Sequence, residues 1–265
     1  MIDKIILGTG IFGGVTYVLK QQMEYAIKNE IYPDVDLENT RVSVHLATLN
    51  EQYSIVDTLK SLVQQRLYQE NRDKIELVLV DSHSDDLTVE LAERWVDRVL
   101  IVPKGKLTAR REAIEQSPDA DIIVSVDSGD SYPPNFYHLL LRWFSNPEVV
   151  AVAGSEVSVV GTPLHIQVAV VWSNYLLQRL PGRGMAMRRN AFFECDGWDE
   201  SVNQQNIHEI WMEEEFELYN KMSRMGKVIH DFEAVVYCPP RRFQCNGEMD
   251  ELIRYCSAIR EGQRF

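Results

Sequence analysis

The chain has 265 residues and a formal net charge of −13, with 45% hydrophobic and 25% charged residues. That length buries a substantial core in one large or two small domains, and the composition is that of an ordinary globular protein. The acidic balance argues against nucleic acid as a partner, because backbone binding uses Lys and Arg to displace counterions. A nucleotide stays admissible where a local Arg or a cation neutralises its phosphates. Cys195, Cys238, Cys245 and Cys256 show no CxxC pairing, no metal-ligand spacing and no distribution suited to a disulfide framework. They read as reduced thiols in a cytoplasmic protein.

Residues 1–40 read as an N-terminal extension. Ile5–Leu19 is uncharged throughout and flanked by Lys4 and Lys20, which is short of the roughly 20 apolar residues that a spanning helix needs. It has no small-residue cleavage site of the signal-peptide kind. Two readings stand open: a segment of residues 1–20 docked on the cytoplasmic face of a membrane or on a partner, or an ordinary packed element. Gly8-Thr9-Gly10-Ile11-Phe12-Gly13 matches GxGxxG, but no second strand ending in an acid follows about 20 residues later, as a dinucleotide site requires. A nucleotidyltransferase loop would carry an Arg, and Gly8–Gly14 has none.

From Arg41 the pattern alternates. Strands are expected at Val42–Thr48, Ile75–Val80, Val99–Val102 and Ile122–Val126. Helices are expected at Ser54–Gln65, Thr88–Val96, Leu107–Gln116 and Pro134–Phe144. Such alternation indicates βαβ units and a mostly parallel sheet, whose ligands sit beyond the carboxyl ends of the strands. The polar residues Asn50, Glu51, Asp81 and Asp127 fall at those ends. In the second half the expected elements are a strand at Val149–Val160, a helix at Ile166–Leu180 and a loop at Gly182–Gly184. A short helix at Arg189–Cys195, a helix at Glu214–Met225 closed by Gly226, and a strand at Val228–Tyr237 complete the pattern.

The most informative stretch is VSVDSGDSYPP at Val124–Pro134, where a buried strand delivers Asp127 and Asp130 to its carboxyl end. Paired acids at that place can hold a hard divalent cation against a diphosphate, although Asp, Ser and Gly also suit a plain solvated turn. Four further motifs stand in order with it: VSVHLATLNE, LVLVDSHSDD, GKLTARREAI and EEEFEL. Over about Arg41–Tyr237 this series resembles the family 2 glycosyltransferases of the GT-A fold. The resemblance implies an α/β single domain with a mostly parallel central sheet flanked by helices. Residues 41–150 would form the nucleotide-sugar-binding half, and residues 151–265 the half holding the acceptor and the catalytic base.

It also implies roles residue by residue. Thr48, Asn50 and Glu51 stand in the segment similar to Pro-x-Tyr-Asn-Glu and would face the nucleoside. Alternatively, Asn50 and Glu51 simply open the next helix. Asp81, in the segment similar to Asp-Asp-Gly-Ser-Thr-Asp, would accept the imide N–H of uracil; Ser82 and His83 depart from that pattern. Asp85 and Asp86 read as helix caps. Arg110 would offer a charge-assisted fork to the diphosphate, with Arg111 solvated. Asp127 and Asp130 would hold Mn2+ or Mg2+, with Gly129 standing where the family has its second metal-binding Asp.

Glu215, or its neighbour Glu214, matches the family's catalytic base; a helix N-terminus decorated with acids is the competing reading. Crowded acids disfavour one another's charge, which makes a carboxylate a better proton acceptor. Arg183 and Trp198 would line the acceptor groove, Trp198 either stacking on a sugar or lying buried. His45, His208 and His230 read as structural, and Arg241, Arg242 and Phe243 give no ground for processivity. The implied activity is inverting, metal-dependent transfer from a nucleotide sugar, of the UDP-sugar class, to a glycan, lipid or protein hydroxyl. An inactive nucleotide-sugar-binding scaffold of the same fold is the alternative.

Overall fold

The computed structural model describes residues 37–158, 178–199 and 213–239. The Ile5–Leu19 segment, the GxGxxG match, most of the expected helix at Ile166–Leu180, His208, Cys245, Cys256 and Arg241–Phe243 lie outside the described residues. The strands are β1 (Val42–Thr48), β2 (Ile75–Asp81), β3 (Arg98–Ile101), β4 (Ile122–Asp127), β5 (Val149–Ser158), β6 (Gly184–Arg188) and β7 (Lys227–Cys238). The helices are α1 (Ile55–Val63), α2 (Arg66–Glu70), α3 (Thr88–Ala92), α4 (Lys106–Glu115), α5 (Phe136–Leu141), α6 (Arg189–Glu194) and α7 (Glu213–Ser223). No described helix is long and apolar enough to cross a membrane.

The strands form one sheet in the order β3-β2-β1-β4-β6-β5-β7. β1 pairs in parallel with both β2 and β4, in registers that set Thr48 beside Asp81 and Ala47 beside Asp127. The order of the first strands reverses at β1, and in open α/β sheets the crevice at such a reversal is where ligands bind. Val44 and Leu46 of β1, Leu77 and Leu79 of β2, and Val124 and Val126 of β4 pack in the larger core with α1 and α5. Val78 and Val80 point the other way, against Ala109 and Ala113 of α4. Strands buried on both faces need nearly continuous apolar sequence, and that is why β2 and β4 were visible in it.

The second half departs from expectation at Gly182–Gly184. Only 182–183 form a turn; Gly184 opens β6, antiparallel to both β4 and β5. Gly-Met-Ala-Met-Arg has no β-branched or aromatic residue, so its propensity does not announce a strand. The two flanking strands impose it by pairing. Residues 178–180, expected as the end of a helix, carry no helix. Because β6 runs backwards, its first residue and the last residues of β4 and β5 meet on one edge of the sheet.

Candidate active site

The loops after β1 and β2 are stitched together by hydrogen bonds. The Asn50 N–H donates to Ser84 Oγ (2.9 Å), and Asn50 Oδ1 accepts the Asp85 N–H (3.0 Å). The Glu51 N–H donates to Thr88 Oγ1 (2.7 Å) and the Gln52 N–H to Asp86 Oδ2 (3.1 Å). Asn50 and His83 have φ of 56° and 58°. This explains one departure from the family pattern: His83 replaces a glycine in a left-handed conformation that His tolerates better than most residues. Glu51 accepts the Ser54 hydroxyl, and its carbonyl accepts the Ser54 and Ile55 N–H groups, so it opens α1 as the competing reading held.

Asp81 and Thr48 do not stand as expected. Asp81 is 1% exposed. It accepts the Ser84 N–H (2.8 Å), the Ser84 hydroxyl (2.5 Å) and the Thr48 hydroxyl (3.1 Å). A carboxylate so enclosed shapes the turn after β2 and presents no surface to a base. The exposed residues of these two loops include Leu49, Asn50, Tyr53, His83, Asp85 and Leu87.

The turn after β4 is fastened to α1. Thr58 Oγ1 accepts the Gly129 N–H (2.9 Å) and donates to the Asp130 carbonyl (2.8 Å). One turn on, Ser61 Oγ accepts the Tyr132 N–H (3.2 Å), and Gln65 Nε2 donates to the Pro133 carbonyl (2.5 Å). Gly129 has φ 82°, left-handed backbone that glycine adopts freely. The Tyr132 hydroxyl accepts the Asp127 N–H (2.9 Å) and lies 3.0 Å from the Arg183 carbonyl, tying the end of β4 to the turn before β6. Burial, then the charges of Asp130 and Asp127, push the Tyr132 hydroxyl well above its ordinary pKa, so it stays a neutral donor.

Charged residues converge where α4, the β4 turn, β5, the segment 178–183 and the first turn of α7 meet. Arg110, 4% exposed, donates from Nη2 to Asp127 Oδ1, while the Asp127 side chain keeps 22% exposure. A Cβ on Gly182 would stand 1.8 Å from Arg110 Nη1, so a side chain there would displace the guanidinium from this place. One turn earlier on α4, Lys106 Nζ meets Glu214 Oε1 at 3.2 Å. Arg183 lies 3.5 Å from Asp130 Oδ1 and 3.4 Å from Glu156 Oε1. Burial opposes its charge, but Cys238 and then Asp130, Glu156 and Asp127 outweigh that and hold its pKa well above an arginine's ordinary value. Arg179, 2% exposed, pairs with Glu156 (3.2 Å) and with Glu215 Oε2.

The structure thus brings Arg110, Asp127, Asp130, Arg183, Glu214 and Glu215 into one charged junction. Thr48 and Asp81 end the neighbouring strands β1 and β2, and Asn50 stands on the loop after β1. Glu214 and Glu215 turn to different cations instead of crowding one another. Trp198 takes the buried one of its two readings: it is 3% exposed, edge-on to Phe192 with centroids 5.0 Å apart, and packs in the core beneath α7. It offers no face to a sugar. Arg179 and Glu156 went unnoticed in the sequence; each is a charge inside an apolar run, which is a signal for a buried partner.

The described residues contain no group of three His, Cys, Asp or Glu placed to cage a metal. A cation shared with substrate phosphates needs only one or two protein carboxylates. Asp127, partly exposed at the strand end, fits that demand. Asp130, 4% exposed and set against Arg183, fits less well.

A sheet that reverses at β1 and gathers acids beyond its carboxyl ends defines the class, the GT-A glycosyltransferase fold. The sequence pattern described as "Glycosyl transferase family 2" matches residues 43–193, and the chain belongs to that family. It is 25% identical over 225 residues to the probable glycosyltransferase YdaM of Bacillus subtilis (strain 168), covering 75% of this chain and 50% of that protein. The chain therefore spans about half the length of the curated relative it matches. Among solved structures, it is similar to the mannosyltransferase PcManGT from Pyrobaculum calidifontis in complex with GDP-Man and Mn2+. There the TM-score is 0.56 and the identity 20%, over 88% of this chain and 66% of that one. S. aureus TarS 1-349 in complex with UDP-GlcNAc gives a TM-score of 0.58 at 16% identity, over 76% and 58% of the two chains. GalNAc-T7 with UDP, GalNAc and Mn2+ gives 0.59 at 17% identity, over 77% and 44%.

Proposed function

We propose that this chain moves a sugar from a nucleotide sugar, of the UDP-sugar class, to an acceptor hydroxyl with inversion at the anomeric carbon. The observation that carries the reading is the reach of α4: Arg110 meets Asp127 and Lys106 meets Glu214 from one helix. The residues expected to hold the diphosphate therefore stand beside those expected to activate the acceptor. The UDP class draws support from TarS and GalNAc-T7, both solved with uridine nucleotides. Residues 41–150 would serve the donor and residues 151–265 the acceptor.

Glu215 takes the proton of the acceptor hydroxyl, with Glu214 as the alternative base. The acceptor oxygen bonds to the anomeric carbon from the face opposite the diphosphate. The bond from that carbon to the β-phosphate oxygen breaks, and its electron pair leaves with the nucleoside diphosphate. Arg110 exchanges part of its pairing with Asp127 for the departing phosphate, and the buried junction orients both partners. Mn2+ or Mg2+, held by Asp127 together with phosphate oxygens, would neutralise charge on the leaving group.

The test is nucleoside diphosphate release from a panel of UDP- and GDP-sugars, with Mn2+, with Mg2+ and with chelator. Turnover of one UDP-sugar that falls by at least about 100-fold in Asp127→Asn is expected. Full turnover in an Asp127→Ala/Asp130→Ala double variant overturns the mechanism. The arginines on Asp127 and Glu215 also suit a binding scaffold; that reading predicts thermal stabilisation by UDP with no sugar transferred or hydrolysed.

A further inference from the structure

Glu156 sits near the end of β5, buried, and two guanidinium groups close on it. Arg179 approaches it with both terminal nitrogens, Nη2 at 3.2 Å from Oε2 and Nη1 at 3.5 Å from Oε1. Arg183 approaches Oε1 with Nε at 3.4 Å. Each arginine then reaches a second carboxylate, Arg179 to Glu215 and Arg183 to Asp130. The result is a continuous buried chain: Asp130, Arg183, Glu156, Arg179, Glu215.

The two arginines leave a backbone segment that is fixed on three sides. The Leu180 N–H donates to the Glu215 carbonyl (3.1 Å), tying the segment to α7. Ser125 Oγ on β4 donates to the Gly182 carbonyl (2.6 Å). The Arg183 carbonyl lies 3.0 Å from the Tyr132 hydroxyl. A guanidinium is a planar fork whose donors have fixed relative directions. Arg179 is ion-paired at once to Glu156 on a sheet strand and to Glu215. Glu215, on the first turns of a helix, takes its position from that fork.

We propose that Glu156 is a positioning residue for sugar transfer: it orients Arg179, which sets the place of the Glu215 carboxylate. Through Arg183 the same residue ties that place to the turn carrying Asp127 and Asp130. This rests on the reading of Glu215 as the base. Glu156 touches neither substrate and acts only through its arginines.

The experiment is a double-variant cycle on the full chain, read by steady-state transfer and by UDP binding. Glu215→Gln is expected to lower kcat by about 10²–10⁴-fold, the range for loss of a general base. Glu156→Gln keeps the shape and removes the charge. It is expected to lower kcat by about tenfold or more, with donor KM and UDP affinity within about twofold of the parent. Because Glu156 works through Glu215, Glu156→Gln/Glu215→Gln is expected to be no slower than Glu215→Gln alone.

Additive losses, a parent-like kcat in Glu156→Gln, or a fall in UDP affinity parallel to kcat overturns the proposal. Should Glu156→Gln fail to fold, Glu156→Asp takes its place: it keeps the charge, shortens the reach, and carries the same non-additivity. Parent-like turnover in Glu215→Gln removes this proposal and leaves the transferase reading standing. A parent that turns over no donor removes both.

Discussion

Two regions on the same edge of the sheet are held by different forces. The loops after β1 and β2 are braced by a dense set of neutral or singly charged hydrogen bonds, such as Asn50 to Ser84 and Asp81 to Thr48. The junction of β5, segment 178–183 and α7 is braced by ion pairs among buried and partly buried side chains. The first arrangement is stiff and tolerant, because many modest bonds share the load. The second is sensitive: charges taken out of water cost several kcal/mol each unless their partners stay in place.

The contrast can be tested from its strongest side. Arg179→Met leaves Glu156 and Glu215 buried beside each other without the shared cation. It is expected to destabilise the fold by about 3–5 kcal/mol in urea unfolding. A loss below about 1 kcal/mol would show that the junction is no more sensitive than the surface.

On the braced side, Thr58→Val removes the hydroxyl that satisfies both the Gly129 N–H and the Asp130 carbonyl. The expected cost is about 1–3 kcal/mol, and activity should fall with it, since the turn carrying Asp127 loosens.

Acid sharpens the comparison further. His45 lies beneath α4, with Nε2 3.0 Å from Ser43 Oγ and 3.1 Å from Ser117 Oγ. Burial, then Arg98, lowers its pKa from 6.5 to about 3. The folded value is the lower one, so the unfolded chain takes up the proton first. Stability therefore falls as pH drops from 6.5 towards 3. The loss from this group alone is about 2 kcal/mol by pH 5. His45→Gln should remove that part of the acid loss in denaturation midpoints measured at pH 7 and pH 5. His230, lowered to about 4 by burial and then by Arg179, adds a loss of the same sign on the junction side.

The smallest effect is expected at the surface. Lys60 and Asp57 form an exposed pair at 2.9 Å on α1, and Lys60→Ala should change stability by less than about 0.5 kcal/mol.

Much of the first half of the sheet was legible because its signals are local. β2 and β4 declare themselves as continuous apolar runs, Asp127 stands where the run ends, and the helices show their period. One departure was legible only as a puzzle. His83 in place of glycine made sense once its φ of 58° was known. Burial was not legible at other positions: Trp198 and Asp81 have the chemistry of ligand contacts and the exposure of core residues.

Amino-acid order by itself determined the alternation of strand and helix, the carboxyl-end placement of Asn50, Asp81 and Asp127, and the family's motif series. These follow from periodicity and from side chains a few residues apart. Tertiary structure alone decided that Gly184–Arg188 becomes a strand and that Arg110 claims Asp127. It alone decided that Glu156, Arg179 and Glu215 meet. Each of these contacts joins segments tens of residues apart, where partner choice depends on which neighbour the sheet delivers and how little water remains between them.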